Sequence, residues 1–239
     1  MRYFVVSDIH GHYRALREAL ADHGFDPTKD DHHLLVLGDM FDRGTQSNEV
    51  LEYLYPLTLQ DKCTVLLGNH DSFLLDFLKG DDSRVMFNIM FNGFGQTLWS
   101  LSGIEPKAEN IDDLRNVIDE RHPYLLNWLK SLPYYLEIGD YVFVHGGIDG
   151  SKLDWRQMSS RRDFIWSRQH ELPGIPGKTV VAGHTRVPTI RKRTDDYKML
   201  FLHSPEYFDI LHLDGKILID RYVEVSDEIN VLELDIETP

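Results

Sequence analysis

Three short apolar runs, about thirty residues apart, constrain the fold of this chain more than any other feature. They cover residues 3–7, 33–37 and 63–67, and each ends within two residues of an Asp or Asn. Leucine and valine recur at helical spacing in the segments between them, which favours strands that alternate with helices. Because a βαβ unit takes about thirty residues, the spacing predicts three parallel strands whose carboxyl ends meet at one edge of a sheet.

The remainder of the chain predicts a helical region followed by a second set of strands. Residues 71–132 carry helical patterns, and Pro123 is expected to divide the helix predicted over residues 112–130. From residue 134 strand-like runs return, at residues 141–144, 179–182, 199–202, 208–213, 216–219 and 230–234. Asp214 and Gly215 are typical of a hairpin turn, so we expect an antiparallel sheet in this part of the chain.

These patterns together predict a mixed α/β protein whose central two-sheet β-sandwich is flanked by helices. A length of 239 residues is compatible with one domain, so we expect a single domain over residues 1–239 with a mainly helical, insertion-like region at about 71–132. The single cysteine, Cys63, lies in an apolar run and is expected to be a small buried hydrophobe and not a nucleophile.

Charge and hydropathy exclude several classes of partner. The formal net charge is −14, which argues against tight, sequence-independent binding to DNA or RNA. No stretch approaches about 18 uninterrupted apolar residues, and the chain starts with a strand-like run that lacks the features of a secretory signal. We therefore expect a cytoplasmic protein without nucleic-acid or membrane partners, and we take a monomer as the default.

Five short motifs rich in Asp, His and Asn follow apolar runs. They are Asp8-Ile9-His10-Gly11, Gly38-Asp39-Met40-Phe41-Asp42-Arg43-Gly44, Gly68-Asn69-His70-Asp71, His145-Gly146-Gly147 and Gly183-His184-Thr185. Each of them alone has an ordinary structural explanation, such as a hydrogen-bonded histidine at a strand end. All five together, in this order, indicate a two-metal phosphoesterase site.

The motifs contain enough nitrogen and oxygen donors for two cations. Asp8 and His10 alternate along an extended segment, so both can face one ion. Asp39 ends the next strand, and its two carboxylate oxygens can bridge two metals. The shell of the second ion would be completed by three further motif residues, Asn69, His145 and His184. Such ligands, without thiolate, suit Mn, Fe, Zn or Co better than Ca.

Three further residues of the motifs are candidates for acid catalysis and phosphate binding. His70 directly follows Asn69 and would point across the metal pair, where it can protonate the leaving-group oxygen. Asp42 would hold one ring nitrogen of His70, the alternative being a carboxylate that caps the next helix. Arg43 offers a planar fork of donors for phosphate oxygens, the alternative being a surface ion pair. Aromatic residues near the motifs are expected to be core or cleft wall, because no basic patch accompanies them.

The combined motifs resemble those of the phosphoprotein phosphatases of the metallophosphoesterase superfamily. Within that family, the chain is most similar to the small phage and bacterial serine/threonine phosphatases, of which the lambda-phage enzyme is the familiar example. The resemblance runs from residues 7–11 to the final strand and includes residues 165–168. It implies that Arg168 contacts phosphate, a role that the residue pattern alone does not assign.

The resemblance also implies a fold, a cofactor and a reaction. The fold is the metallophosphoesterase fold, and the cofactor is a pair of divalent ions, often Mn²⁺, with Fe, Zn or Co as alternatives. Hydrolysis proceeds by direct attack of a metal-bound hydroxide without a phosphoenzyme. By this mapping one metal takes Asp8, His10 and Asp39, and the other takes Asp39, Asn69, His145 and His184.

Two positions depart from the protein phosphatase pattern. Leu67 stands where those enzymes usually have Arg, and Asp71 stands where they usually have Glu. The resulting motif is similar to that of the symmetrical diadenosine tetraphosphate hydrolases, although many of those lack an acid equivalent to Asp42.

Three hypotheses follow. The favoured one is a phosphomonoesterase for phosphoserine and phosphothreonine, extending to phosphotyrosine, with a phosphoprotein or small phosphorylated substrate. The alternative is a dinucleoside polyphosphate hydrolase. The third is a scaffold that keeps the fold without catalysis.

Overall fold

The computed structural model describes residues 1–237, within which nine strands form two sheets. The strands are β1 (Arg2–Val6), β2 (His32–Val36), β3 (Cys63–Val65), β4 (Tyr135–Ile138), β5 (Tyr141–Val144), β6 (Thr179–Ala182), β7 (Leu211–Leu213), β8 (Lys216–Leu218) and β9 (Leu232–Asp235).

Helices connect and cover these strands. They are α1 (Tyr13–Asp22), α2 (Ser47–Leu59), α3 (Asn69–Leu78), α4 (Val85–Phe91), α5 (Phe94–Ser102), α6 (Ile111–Arg121), α7 (Leu125–Ser131), α8 (Trp155–Met158), α9 (Arg161–Trp166), α10 (Val187–Arg191), α11 (Tyr197–His203) and α12 (Val223–Ser226). Short 3₁₀ turns lie at Ala108–Asn110, Gln169–Glu171 and Pro205–Phe208. No helix within residues 1–237 is long and apolar enough to cross a membrane.

The first sheet has the strand order β3-β2-β1-β9. Strands β1, β2 and β3 are parallel neighbours, which confirms the prediction made from their spacing. Asp8, Asp39 and Asn69 therefore follow strands that end at the same edge. Strand β9 pairs antiparallel with β1 and closes the other side of this sheet.

The second sheet has the order β4-β5-β6-β8-β7, and its centre is parallel. The expectation of an antiparallel sheet was therefore wrong for β5, β6 and β8. Long helical connections link these strands, and parallel neighbours need such crossovers. The hairpin prediction is confirmed, because β7 and β8 are joined by Asp214 and Gly215, with Leu213 opposite Lys216.

One predicted strand is a helix. Residues 199–202 lie within α11, whose amino end is capped by Asp196, because the Asp196 side chain accepts a 2.9 Å hydrogen bond from Met199 N. Leu200 is buried, whereas Met199 and Leu202 are 48% and 71% exposed. A short apolar run does not by itself distinguish a strand from a helix. Here the Asp196 cap and the burial of only one face of the segment favour the helix.

The helical region predicted after residue 71 contains helices α3 to α7. Pro123 lies between α6 and α7, which confirms the predicted break. Side chains such as Phe77, Phe94 and Leu125 share one core with Phe4 of β1. The assignment of a single domain with an insertion stays a prediction.

Both faces of the first sheet are buried. In β1, Phe4 and Val6 pack toward α1 and α2, whereas Tyr3 and Val5 pack against Phe143 in the second sheet. The outer face of the second sheet has its own core, formed by Val142, Val144, Val180 and Ala182 with Trp155, Phe164 and Val187. The result is a four-layer arrangement of helices, two sheets and helices, which is consistent with the metallophosphoesterase fold.

Candidate active site

The predicted site residues lie after strand ends of both sheets, many of them in an unusual backbone conformation. Among residues 1–237, nine non-glycine residues have a positive φ, and six of these are predicted site residues: Asp8, His10, Asp39, Asp42, Arg43 and His184. This conformation costs roughly 1–3 kcal/mol per residue and persists only where the surrounding structure enforces it. Its concentration here indicates that the loops are shaped to aim side chains.

Asp39 lies at the centre of the site. It is buried, and its Oδ1 accepts a 2.8 Å hydrogen bond from the backbone N–H of His70 at the start of α3. Its Oδ2 lies 3.4 Å from His145 Nε2 and 3.7 Å from His10 Nε2. Burial alone would raise the pKa of Asp39, but the neighbouring imidazoles of His145 and His70 hold it well below its usual range. Asp39 is therefore an ionised carboxylate surrounded by histidines.

Two clusters of metal-binding side chains meet at Asp39. Donor atoms of His10, Asp39 and His70 lie within 4.8 Å of one another, and so do those of Asp39, His145 and His184. The shared carboxylate stands between the two clusters, as a ligand that bridges two cations would. These His and Asp residues are positioned for a dinuclear metal site.

The orientation of the histidine rings fits metal ligation. The Nδ1–H of His10 donates to Phe41 O at 2.9 Å, and the Nδ1–H of His145 donates to Leu37 O at 2.7 Å. Both rings therefore turn Nε2 toward Asp39. Metal-ligating histidines usually fix their orientation in this way, by donating the other N–H to a carbonyl.

The other predicted ligands border this pair. Asp8 accepts a 2.9 Å hydrogen bond from the backbone N–H of His184 and a short one from Ser7 Oγ, and it belongs to neither cluster. Asn69 Oδ1 lies 2.8 Å from His145 Nε2. Burial lowers the pKa of His184 to about 3, so its imidazole is neutral, which is the form that binds a metal.

We expect Mn²⁺ to stabilise this protein against heat through the histidine clusters. After treatment with a chelator, Mn²⁺ at about 100 times its Kd adds about 2.7 kcal/mol of stability, which corresponds to a rise in Tm of roughly 5–10 °C. His145→Ala removes most of this rise, whereas His212→Ala, at an exposed position in β7, keeps it. Differential scanning fluorimetry with and without Mn²⁺ measures the effect, and an equal rise in both variants contradicts the site.

His70 is held in one orientation by a buried carboxylate. Its Nδ1–H donates to Asp42 Oδ2 at 2.7 Å, and the fully buried Asp42 is itself fixed by Thr97 in α5. The Thr97 hydroxyl donates to Asp42 Oδ1 at 2.8 Å, and the Asp42 N–H donates to Thr97 Oγ1 at 2.7 Å. The Nε2 of His70 is therefore the nitrogen that faces the cleft.

Arg43 reaches across the cleft from the same loop. Its Nη1 donates to Glu224 Oε1 at 2.5 Å and to His10 Nε2 at 2.7 Å, and its Nη2 donates to His70 Nε2 at 2.9 Å. The guanidinium is thus placed directly beside both histidines, where a phosphate oxygen would approach. It also forms a partly buried ion pair with Glu224, which is the alternative interpretation of Arg43, whereas phosphate binding by Arg43 stays a prediction.

A second arginine, Arg186, shares the same carboxylate. Its Nη2 donates to Glu224 Oε1 at 2.7 Å, and its guanidinium lies 3.9 Å from the centre of the Tyr222 ring. Burial would raise the pKa of Glu224, but His10, Arg43 and Arg186 lower it to about 2. Glu224 is therefore a charged residue that orients two guanidinium groups at the cleft.

We expect Glu224→Gln to weaken phosphate binding and to affect turnover less. Loss of the charge removes the ion pairs with Arg43 and Arg186 and weakens the hydrogen bonds that orient them, which raises KM about tenfold and lowers kcat by less than about threefold. Glu228→Gln, at an exposed position just after α12, is the matched control. Steady-state kinetics with an aryl phosphate separate the two parameters. A pure kcat defect, or no change at all, contradicts the assigned role.

The predicted residues open onto a cavity of about 400 Å³. Its lining includes Asp8, His10, Asp39, Asn69, His70 and His184 on the acidic and imidazole side and Arg43, Arg168 and Arg186 on the cationic side. The structure therefore brings Arg168 to the cleft, as the resemblance implies, whereas His145 and Asp42 lie beneath its surface.

Asp71 holds two loops of the site together, a role that its motif does not indicate. Its carboxylate accepts hydrogen bonds of 2.8, 2.8 and 2.9 Å from the backbone N–H groups of Asp39, Met40 and Gly68. These bonds join the loops after β2 and β3. At Gly68 an added Cβ would lie 2.2 Å from the Asp39 backbone N, so this close approach requires glycine.

Four residues of the site were missed by the sequence analysis. Arg186 follows the fifth motif within two residues, and this position could have indicated it. Glu224, Thr97 and Tyr222 belong to no motif and contact Arg43, Asp42 and Arg186 only because distant segments converge.

The fold and the site together define a metallophosphoesterase. Residues 1–232 match the model of the calcineurin-like phosphoesterase family, and the chain belongs to this family. It is 32% identical over 148 residues to a symmetrical bis(5′-nucleosyl)-tetraphosphatase of Chromobacterium violaceum, which covers 62% of this chain and 44% of that protein. It is 41% identical over 151 residues to the protein of that name in Buchnera aphidicola, covering 62% and 45%. The chain thus spans less than half the length of these curated relatives.

Solved structures share the fold at low sequence identity. A cold-active protein tyrosine phosphatase of a psychrophilic Shewanella species has a TM-score of 0.58 at 19% identity, covering 98% of this chain and 75% of that one. A putative diadenosine tetraphosphatase has a TM-score of 0.53 at 19% identity, covering 100% and 95%. A protein serine/threonine phosphatase of Saccharomyces cerevisiae has a TM-score of 0.56 at 15% identity, covering 100% and 81%. These similarities establish the fold and leave the substrate open.

Proposed function

We propose that this chain is a metal-dependent hydrolase that cleaves the phosphoanhydride bond of dinucleoside polyphosphates such as diadenosine tetraphosphate. The observation that carries the proposal is the match to symmetrical tetraphosphatases, which reaches 41% identity over 151 residues, or 62% of this chain. The sequence favoured a phosphomonoesterase. The comparisons favour its alternative, since the structures named as phosphatases resemble this chain at 15–20% identity, which supports the fold alone.

We assign different roles in this hydrolysis to the residues of the cleft. The proposed ligands are those predicted, with Asp39 shared between the two shells. When bound, the cations would neutralise charge on the reacting phosphate and activate the attacking water, with Mn²⁺ as the first candidate and Fe, Zn or Co as alternatives. Arg43, Arg168 and Arg186 bind the phosphate oxygens.

Acid catalysis falls to His70. In this structure Nε2 accepts a 2.9 Å hydrogen bond from Arg43 Nη2, so acid catalysis requires Arg43 to turn to the phosphate and Nε2 to take up a proton. The protonated Nε2 then donates its proton to the oxygen of the departing group, while Nδ1 remains bonded to Asp42 at 2.7 Å. Asp42 accepts the hydrogen bond from Nδ1–H, which fixes the orientation of the ring and the direction in which the proton leaves. Water supplies the new oxygen on phosphorus, and the bond that breaks joins this phosphorus to the bridging oxygen.

A second candidate function is the phosphomonoesterase, and the Asp42–His70 pair is the observation that favours it. The leaving group of phosphoserine is a strongly basic alkoxide, which needs a proton more than a departing phosphate does. A buried, doubly fixed acid–base pair suits that task. The narrower similarity to small phage and bacterial serine/threonine phosphatases belongs to this candidate.

One comparison of substrates decides between the candidates. We expect kcat/KM with Mn²⁺ to be at least about a hundredfold higher for diadenosine tetraphosphate than for a phosphoserine peptide, with ADP as the only nucleotide product. The opposite preference supports the phosphomonoesterase and overturns our proposal. Failure to hydrolyse either substrate or an aryl phosphate with Mn, Co, Ni, Zn or Fe supports the non-catalytic scaffold.

A further inference from the structure

A second cavity adjoins the cleft. It has a volume of about 470 Å³ and lies between α3, the start of α4 and α9. Phe73 and Trp166 line both this cavity and the metal-binding cleft, so the two spaces share one wall. The size lies within the range of about 300–1,000 Å³ that is usual for small-molecule sites.

The shared wall stands beside His70, the proposed general acid. The Phe73 ring centre lies 5.1 Å from that of His70 and 6.1 Å from that of Trp166. Trp166 in turn lies 6.0 Å from His184, and it is 42% exposed. Because His70 is the proposed acid, a group that leaves next to it passes directly along these two aromatic rings.

The charge of the second cavity differs from that of the chain. Its lining contains Arg84, Arg161 and Arg162 but only two acidic residues, Asp76 and Asp81, although the whole chain carries a net charge of −14. Arg161 is within 3.8 Å of Asp76, whereas Arg84 and Arg162 are exposed on the rim. The cavity thus combines aromatic surface with a local excess of positive charge. Local sequence patterns do not reveal this basic patch, because Arg84 is far from the other two arginines along the chain.

We propose that this cavity, defined by Phe73, Arg84, Arg161, Arg162 and Trp166, binds the nucleoside diphosphate that leaves the metal centre. The base lies against the aromatic rings, and the phosphates pair with the arginines. This inference rests on the proposed function, since it assigns the cavity to the part of a dinucleoside polyphosphate that lies beyond the reacting phosphorus. It explains how a chain with an acidic surface retains a long anionic substrate.

The double variant R84A/R162A tests the arginines at exposed positions. We expect its kcat/KM for diadenosine tetraphosphate to fall at least tenfold more than its kcat/KM for p-nitrophenyl phosphate, because the p-nitrophenyl leaving group has no phosphate to pair with the arginines. The Ki of ADP against p-nitrophenyl phosphate hydrolysis rises by a similar factor. Arg193→Ala, an exposed arginine on another loop, is the matched control and changes neither ratio.

Trp166→Leu tests the aromatic wall. We expect it to weaken inhibition by ADP more than inhibition by pyrophosphate, because pyrophosphate has no base to stack. Equal losses for the two inhibitors, or equal losses of both substrates in R84A/R162A, overturn the assignment of the cavity.

The inhibition experiments keep the two proposals separate. If the wild-type protein fails to hydrolyse diadenosine tetraphosphate, the proposed function fails. The cavity is still tested then, since ADP inhibition of aryl phosphate hydrolysis requires no turnover of the dinucleotide. If the wild-type protein prefers the dinucleotide and the variants show no selective effect, the function stands and the cavity proposal fails.

Discussion

Asp39→Ala is expected to reduce kcat/KM for any phosphate substrate by more than about 10⁴-fold. Asp39 is the one side chain common to both donor clusters, so its removal affects both proposed metal positions at once. It also loses the hydrogen bond from His70 N that fixes the start of α3 beside the cleft. Since phosphate ester hydrolysis is extremely slow without catalysis, most of the acceleration must come from the metals and from charge neutralisation.

The measurement is steady-state hydrolysis of p-nitrophenyl phosphate together with metal analysis of the purified variant. We expect fewer than two equivalents of metal per chain in Asp39→Ala. Asp119→Ala, an exposed aspartate in α6, is the matched control and keeps both activity and metal content. An Asp39→Ala protein that keeps its metals and loses less than about a hundredfold in rate would contradict the bridging role.

His70→Asn is expected to lower kcat by roughly 10²–10⁴-fold and to leave measurable activity, because general acid catalysis contributes about that much. The defect should grow as the leaving group becomes more basic, from p-nitrophenyl phosphate to an alkyl phosphate. Asp42→Asn removes the charge bonded to Nδ1 and should reproduce the same dependence on the leaving group. The double variant should be little worse than His70→Asn alone, since the two residues act as one unit.

A series of phosphate esters with different leaving-group pKa values measures this dependence. Ser72→Ala, the second residue after His70 in α3, serves as a control that lies on the same helix. If His70→Asn lowers kcat by the same factor for every leaving group, then His70 is not the general acid. A loss of activity as large as that of Asp39→Ala contradicts the expectation that the metals contribute more to the rate than general acid catalysis does.

The parallel strands of the first sheet illustrate what local pattern can predict. A spacing of about thirty residues leaves room for one crossover helix between two strands, so it indicates that the strands are parallel. It therefore also indicates the edge of the sheet where Asp8, Asp39 and Asn69 meet. The second sheet gave no such signal. Its connections vary in length, and local periodicity carries no information on which strands become neighbours.

The sequence by itself determined the class of fold, the edge of the first sheet that carries the site and the Asp and His side chains that cluster there. Those features depend on periodicity and spacing along the chain, which are local. Only the tertiary structure decided that Glu224 joins Arg43 to Arg186, that Thr97 supports Asp42, and that an arginine-lined cavity adjoins the cleft. Glu224 and Arg43 are 181 residues apart, and contacts over such distances follow from the packing of whole layers, which no local pattern encodes.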